Sequence, residues 1–410
     1  MARYLAYTSP ARGHLYPIVD TLLELRRRGH EIHLRTLASE VPALRELGLH
    51  AGPIKKEIET VTLDTWKGNS PQEGLAEALK ALEKRSSYEM PDLQAAVAEV
   101  DPDSLIVDIT TVGAAAVAEA SALPWAQTVP LFQWATFPGV DPAKLTLTPF
   151  GLTPSGMELV NARRREAGLA PAEGQSHYPA DLYLYYTSPP LEPGTPLPTS
   201  FRMVGPGTWD PAAETPAWYM ALDDPVIVVS SSSEFQGDDA LVRTSLEALA
   251  GEDVRVVVTT AAHDPAGFEP PANARVVRNL SHKPLLDRAA CVVCHGGMGI
   301  VQKALAAGVP LCVVPFGRDQ FDVAARVASI GAGTMILPWD LTAGSLRAAV
   351  REAMTMKASA EAVAAEFSRS GGPQAAADAL ETLLTVVEQA RIGCGGLSME
   401  AVVTQSSGDS

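Results

Sequence analysis

Two histidines, a few carboxylates and one cluster of glycines are the residues here whose type and spacing could do chemistry. Gly13-His14-Leu15-Tyr16-Pro17 follows the apolar run Tyr4–Ser9, which reads as a buried strand. A lone histidine in such a loop is more often simply solvated. What makes His14 a candidate base is Asp108, which closes a second apolar run, Leu105-Ile106-Val107. Both fall at the carboxyl ends of expected parallel strands in one domain, so they can meet. An unperturbed imidazole titrates near ~6.5 and can take a proton at physiological pH. A carboxylate beside it holds the tautomer and stabilises the charged form.

The second cluster is His295-Gly296-Gly297-Met298-Gly299, between a strand ending at Cys294 and a helix from Ile300. Three glycines let the backbone turn sharply and approach a ligand. The helix behind them presents unpaired N–H groups and a partial positive charge, a setting for phosphate or diphosphate. Taken alone, the glycines equally describe a plain strand-to-helix turn. His295 and Asp319-Gln320, at the ends of neighbouring strands, favour a ligand site, because doubly wound sheets bind ligands at that edge. Ser230-Ser231-Ser232-Ser233, followed by Glu234, ends another strand; its hydroxyls could face a phosphate, and a polar loop explains them as well.

Two patterns suggest metals and are set aside. Cys291-Val292-Val293-Cys294-His295 matches the haem-attachment spacing C-x-x-C-H, but lies in a β-branched run that predicts a buried strand. A zinc site would need a second ligand pair, which is missing nearby. Asp101-Pro102-Asp103 has the D-x-D form of a metal signature, and the proline fits a turn into the strand at 105–108. No metal is expected.

The elements that must position these residues alternate along the chain. A helix over Pro17–Arg28, with Ile18, Leu22 and Leu25 on one face, stops at Gly29. A strand at Glu31–Leu37, a helix at Leu93–Val100, the strand at 105–108 and a helix at Gly113–Ala120 follow. Such alternation predicts β-α-β units on a parallel sheet. Prolines at 189, 190, 193, 196, 198, 206, 211 and 216 mark connecting chain. A second series then runs through strands at Val226–Ser230, Val254–Thr259, Ala274–Val277, Ala290–Cys294 and Leu311–Pro315, with helices at Asp239–Leu249 and Ile300–Ala307. The expected organisation is a first domain over 1–204, a linker over 205–216, a second domain over 217–373, a closing helix over 374–392 and a disordered tail over 393–410.

Composition bounds the partners. The chain has 410 residues, 46% hydrophobic and 20% charged, with a net charge of −16. At ~150 residues per domain, that length suits two or three domains. Its acidity makes it a poor general binder of nucleic acid or anionic membrane. No apolar run reaches the ~18–20 residues of a membrane span, and Pro10, Arg12 and His14 interrupt any signal-peptide core. Four cysteines do not make a disulfide framework, so a soluble, reduced, cytoplasmic protein is expected. A homodimer is compatible with all of this.

With these residues in view, the chain resembles the inverting, nucleotide-sugar-dependent glycosyltransferases of family 1, above all the bacterial enzymes that decorate antibiotics and other natural products. The resemblance runs from Tyr4 to about Arg391. It is carried by G-H-x-x-P at 13–17, C-H-G-G-M-G at 294–299, A-L-A-A-G-V-P at 304–310 and P-F-G-R-D-Q at 315–320. It implies an α/β fold of GT-B type, two Rossmann-like doubly wound parallel-sheet domains facing a cleft. It implies His14 as general base with Asp108 behind it. His295, Gly297, Met298, Gly299 and Ile300 match the residues that hold the donor diphosphate, and Ser232 and Ser233 match hydroxyls near it. Asp319 and Gln320 match the contacts to the donor sugar. Arg278, Leu280 and His282 border the nucleobase; where relatives usually carry Trp or Tyr and then Pro, this chain has Asn279, Leu280 and Ser281, which leaves base stacking open.

The implied donor is a TDP-sugar or UDP-sugar, with a lean toward a TDP-deoxysugar, and no cofactor is needed. The acceptor is a small hydrophobic aglycone. Trp66, Phe132, Trp134 and Phe150 fall in segments that leave the first domain's carboxyl edge and are the expected acceptor-pocket walls, with ordinary core packing accounting for part of them. Three rival readings differ in the residues they require. A nucleotide-sugar epimerase would not need the G-H-x-x-P base. A dinucleotide dehydrogenase would want G-x-G-x-x-G after the first strand, and Ser9-Pro10-Ala11-Arg12-Gly13-His14 is not that. A non-catalytic partner of a glycosyltransferase would have no need of His14, Asp108 and Asp319-Gln320.

Overall fold

Buried β-branched runs separated by helices close into two parallel sheets. The computed structural model describes residues 1–410 except 68–70, 132–153, 173–178, 193–196, 198, 212–213, 223–224 and 394–410. Phe132, Trp134, Phe150 and the tail from 394 therefore lie outside the described residues, as does the side chain of Trp66.

The first sheet holds β1 (Arg3–Tyr7), β2 (Glu31–Thr36), β3 (His50–Pro53), β4 (Ser104–Asp108), β5 (Trp125–Val129), β6 (Leu182–Tyr185) and β7 (Phe201–Met203), in the order β3-β2-β1-β4-β5-β6-β7. The second holds β8 (Val226–Ser230), β9 (Arg255–Thr259), β10 (Ala274–Val277), β11 (Ala289–Cys294), β12 (Leu311–Val313) and β13 (Gly333–Met335), in the order β10-β9-β8-β11-β12-β13. Every ladder is parallel. β4, β5, β6 and β8 are buried along their whole length, as parallel strands covered by helices on both faces must be. The strand order reverses between β1 and β4 in one sheet and between β8 and β11 in the other. Each reversal leaves a crevice at the carboxyl ends of those strands. His14 and Asp108 flank the first crevice; the Ser230 loop and His295 flank the second.

The helices differ from expectation in two places that matter. His14 stands in the first turn of a helix, Arg12–Arg27, rather than in a loop before one. Pro17 does not start that helix but lies one turn inside it. A missing N–H so near the amino end removes only one intrahelical bond, and the extended backbone at Ala11 starts the helix early enough to aim His14 across the crevice. The helix expected at 93–100 is the end of one that runs Pro71–Val100 through Pro91. The carbonyl Pro91 leaves without its N–H partner belongs to exposed Ser87, where water can serve it.

Gly113, in the helix Val112–Ala120, lies against the carbonyl of Ser86, so that any Cβ there would overlap backbone. This close approach seats the helix Pro71–Val100 directly behind the loop that follows Asp108. The last helix, Gly372–Gly393, returns to the first domain. Its Ala376, Ala377, Leu380 and Leu383 share a core with Leu15, Leu22 and Leu25, and Arg28 bonds Asp378 and Glu381 at 2.6 Å each. Among the described residues no helix is long and apolar enough to cross a membrane.

Candidate active site

On the first-domain side, His14 Nδ1 lies 2.8 Å from Asp108 Oδ2. Asp108 is fully buried, and its other oxygen accepts the Thr110 N–H at 2.9 Å and the Thr110 hydroxyl. The carboxylate is thus fixed from behind, and His14 keeps Nε2 for the cleft with 21% of its side chain exposed. Burial alone would lower the pKa of His14. The charge and hydrogen bond of Asp108 outweigh it, with Glu234 and Asp319 of the second domain adding to the rise, so the net shift is upward. Two carboxylates of the opposite domain therefore act on the candidate base.

On the second-domain side, Gly296 has φ +92, and a Cβ there would press on Val313 and Gln320. Gly297 is the N-cap of the helix Met298–Ala306. The side chains of Met298 and Ile300 are buried in the second domain's core. What 298–300 offer a ligand is their backbone N–H groups, which have no partner within the helix. His295 is buried, and its Nδ1 donates to the carbonyl of Ser230 at 3.5 Å. Burial is the main reason its pKa lies below the ordinary imidazole value. Nε2 faces Gly297, where a Cβ would stand 2.5 Å away. Gly297→Ala is expected to turn the imidazole aside and weaken nucleoside diphosphate binding about tenfold or more, a change of roughly 1.4 kcal/mol. Calorimetric titration with TDP checks this; unchanged affinity would show that the turn does not contact the diphosphate.

The remaining expected residues fall into two groups. Asp319 stands at the N-cap position of the helix Gln320–Ser329 at the cleft without a side-chain bond to that helix, its carboxyl raised by burial and pulled back by His14 and Arg318. Gln320 is buried and already employed: its Oε1 accepts from Phe316 N at 2.8 Å and Gly317 N at 3.1 Å, and its amide donates to Gln236. The Ser232 hydroxyl accepts from Gln236 at 2.6 Å, whereas Ser233 is exposed. Farther out, Arg278 is exposed and reaches Ala261 O and Asp264. Leu280 packs on the core, and the backbone N–H of His282 donates to Asp210 at 3.1 Å.

The metal patterns have structural explanations. Asp103 accepts the Arg3 N–H at 2.7 Å and Asp101 takes φ +50, making a turn at the amino edge of the first sheet, away from the cleft. Cys291, Cys294 and Cys312 are buried thiols; burial pushes the last two up to about 12. Among the described residues no group of three or more His, Cys, Asp or Glu side chains could hold a metal ion.

Several residues at the site were not read from the sequence. Asp238 and His263 form a second buried pair, Oδ1 to Nε2 at 2.7 Å, with Asp238 Oδ2 accepting the Ser232 N–H at 2.8 Å. The only sequence signal for it is that both residues follow adjacent strands. Glu89 is buried behind the Asp108 loop and accepts the Gly113 N–H at 2.9 Å. Burial pushes its carboxyl up to about 8, against the pull of two backbone N–H groups and Arg85, with Asp108 adding to the rise. Between the ordinary carboxylate range, ~4.3, and that value, the folded protein holds a proton the unfolded chain has lost, so stability declines as pH rises through this window. Glu89→Gln keeps an acceptor and removes the titration. Its melting temperature is expected to gain on wild type by about 5 °C between pH 5.5 and pH 8.5. A constant difference across that range would show that Glu89 does not titrate there.

The match to known proteins agrees with this architecture. Residues 243–383 match the family described as erythromycin biosynthesis protein CIII-like, C-terminal domain. Over 391 residues the chain is 31% identical to 4'-demethylrebeccamycin synthase of Lentzea aerocolonigenes, covering 85% of this chain and 91% of that protein. The chain belongs to the antibiotic glycosyltransferases. Among solved structures, this glycosyltransferase resembles the calicheamicin glycosyltransferase CalG4, with TM-score 0.75, 22% identity, and coverage of 94% and 99% of the two chains. It also resembles the spinosyn rhamnosyltransferase SpnG complexed with thymidine diphosphate, with TM-score 0.71, 21% identity, and coverage of 92% and 100%. Its two parallel-sheet domains are the GT-B fold of these enzymes.

Proposed function

We propose that this glycosyltransferase moves a sugar from a TDP- or UDP-sugar to a hydroxyl of a hydrophobic natural-product aglycone, with inversion at the anomeric carbon. The observation that carries the reading is the pairing of His14 with buried Asp108 at one sheet's crevice, opposite the Gly297 turn at the other's. His14 Nε2 takes the proton of the acceptor hydroxyl as its oxygen attacks the anomeric carbon. The bond to the diphosphate breaks on the opposite face, and the negative charge that develops there meets the N–H groups of 298–300 and the imidazole of His295. Asp319 holds the sugar hydroxyls. Fixed N–H donors perform the charge stabilisation that a metal ion would otherwise supply, so transfer proceeds without one. SpnG, a structural relative, has been solved with thymidine diphosphate and with the spinosyn aglycone, which supports a TDP donor and an apolar acceptor here.

The test is a calorimetric panel of TDP, UDP, GDP and NAD without metal. Turnover of the matching sugar nucleotides on polyketide and phenolic aglycones follows, in EDTA and in Mg²⁺. Binding of TDP or UDP but not NAD, turnover equal in EDTA, and an inverted anomeric proton coupling in the product are expected. Donor binding without turnover on any acceptor, together with co-purification of an active transferase, would favour a helper role. Activity lost in EDTA and restored by Mg²⁺ would remove the metal-free mechanism.

A further inference from the structure

Arg318 is the residue of the donor-side loop that the transfer chemistry leaves unused. It precedes Asp319 and adopts φ +55, a left-handed backbone that a side chain of this kind holds only when its surroundings over-determine it. Its side chain crosses the cleft. Nε donates to the Thr65 hydroxyl at 3.1 Å and one terminal nitrogen to the Leu63 carbonyl at 3.2 Å, both in the first domain. The other terminal nitrogen meets Glu234 at 3.1 Å on its own side. From the first domain, Arg85 of the helix Pro71–Val100, itself buried, donates to the carbonyl of Val61 at 3.0 Å. Residues 61–65 belong to no strand. The carbonyls of Val61 and Leu63 therefore have no ladder partner, and two guanidinium groups serve them, one from each domain. This segment leads into the single turn Thr65–Lys67, which carries Trp66.

We propose that Arg318 is a cross-cleft positioning residue that ties the loop bearing Asp319 to the acceptor-side segment 61–67, so that the two substrate sites are set as one unit. The inference rests on the transferase reading for what those sites bind. The physical tie does not. The planar fork of arginine is what reaches a hydroxyl, a carbonyl and a carboxylate at once; an ammonium of similar length keeps the charge and loses the geometry. The two bonds to Leu63 and Thr65, with the third to Glu234, also hold residue 318 in its left-handed state, and residue 318 sets the direction in which the chain enters Asp319.

Arg318→Asn and Arg318→Lys separate these effects. Asparagine tolerates the left-handed backbone and so leaves Asp319 in place, while removing the reach across the cleft. Hydrogen–deuterium exchange on the free protein is expected to speed up about tenfold over 61–67 in Arg318→Asn, with Arg318→Lys between it and wild type. The TDP dissociation constant is expected to stay within about twofold of wild type. With the aglycone on which wild type turns over, KM for acceptor rises about tenfold in Arg318→Asn while kcat holds, and Lys restores part of the loss. Unchanged exchange over 61–67 in Arg318→Asn would overturn the proposal. So would a loss of TDP affinity in step with the lost protection, which would make the guanidinium a donor ligand. If wild type binds no nucleoside diphosphate, the transferase reading falls, and the exchange comparison still judges the tie.

Discussion

Replacing His14 by alanine is expected to lower kcat by about 10²–10⁴ while leaving TDP affinity close to wild type. The separation follows from where the residue stands. His14 lies in the first domain at the reversal between β1 and β4, whereas the N–H groups of 298–300 and His295 lie in the second. Losing the imidazole removes the group that Asp108 orients, and leaves the Gly297 turn untouched. The rest of the first domain is insulated from the change as well, because the side chain is partly exposed to the cleft and Leu15, Ile18 and Leu22 carry the packing of that helix. Single-turnover rates beside calorimetric TDP titration would check it. Turnover equal to wild type would remove His14 from the mechanism. A matching loss of TDP affinity would place it on the donor instead.

The site residues that could be read from the sequence are those whose neighbours punctuate the chain. Gly13 and Pro17 around His14, and Gly296, Gly297 and Gly299 after a β-branched run, mark strand ends and helix starts. In a parallel sheet, strand ends are where ligands bind. The second series was legible for the same reason: Asp239–Leu249 and Ala274–Val277 are found with the boundaries their patterns predict. Long-range partnership was not legible. Arg318 meets Leu63 and Thr65 across some 250 positions, and nothing local to P-F-G-R-D-Q announces a reach into the other domain. The helix Pro71–Val100 was half hidden because Pro91 reads as a boundary, and only packing under Gly113 and Ser86 explains why it continues. Glu89 belongs to the same class. A glutamate in a helical pattern reads as solvated, until the neighbouring helix brings the N–H groups of its first turn against it.

Asp108→Asn is expected to be the more informative lesion, with a rate loss approaching about 10⁴. Thr110 decides why. Its backbone N–H and its hydroxyl both donate to Asp108 Oδ1, so an asparagine at 108 must keep its oxygen there and turn its NH₂ toward His14. A donor at Nδ1 forces the proton onto Nε2, the nitrogen that must be bare to act as base. Asp108→Ala imposes no such tautomer, and is expected to retain more activity than the isosteric change.

The pH profile gives an independent reading. In wild type the pKa of His14 is raised, and a base works only when unprotonated, so in the role proposed for His14 kcat/KM is expected to fall on the acid side through a pKa above the ordinary ~6.5. In Asp108→Ala the charge and hydrogen bond that raise it are gone and burial is left as the largest influence. The acid limb then moves to lower pH even as the plateau drops. Nitrogen chemical shifts of the imidazole would report the tautomer directly. An Asp108→Asn enzyme with its proton still on Nδ1, or an acid limb that stays in place in Asp108→Ala, would show that the carboxylate does not govern the base.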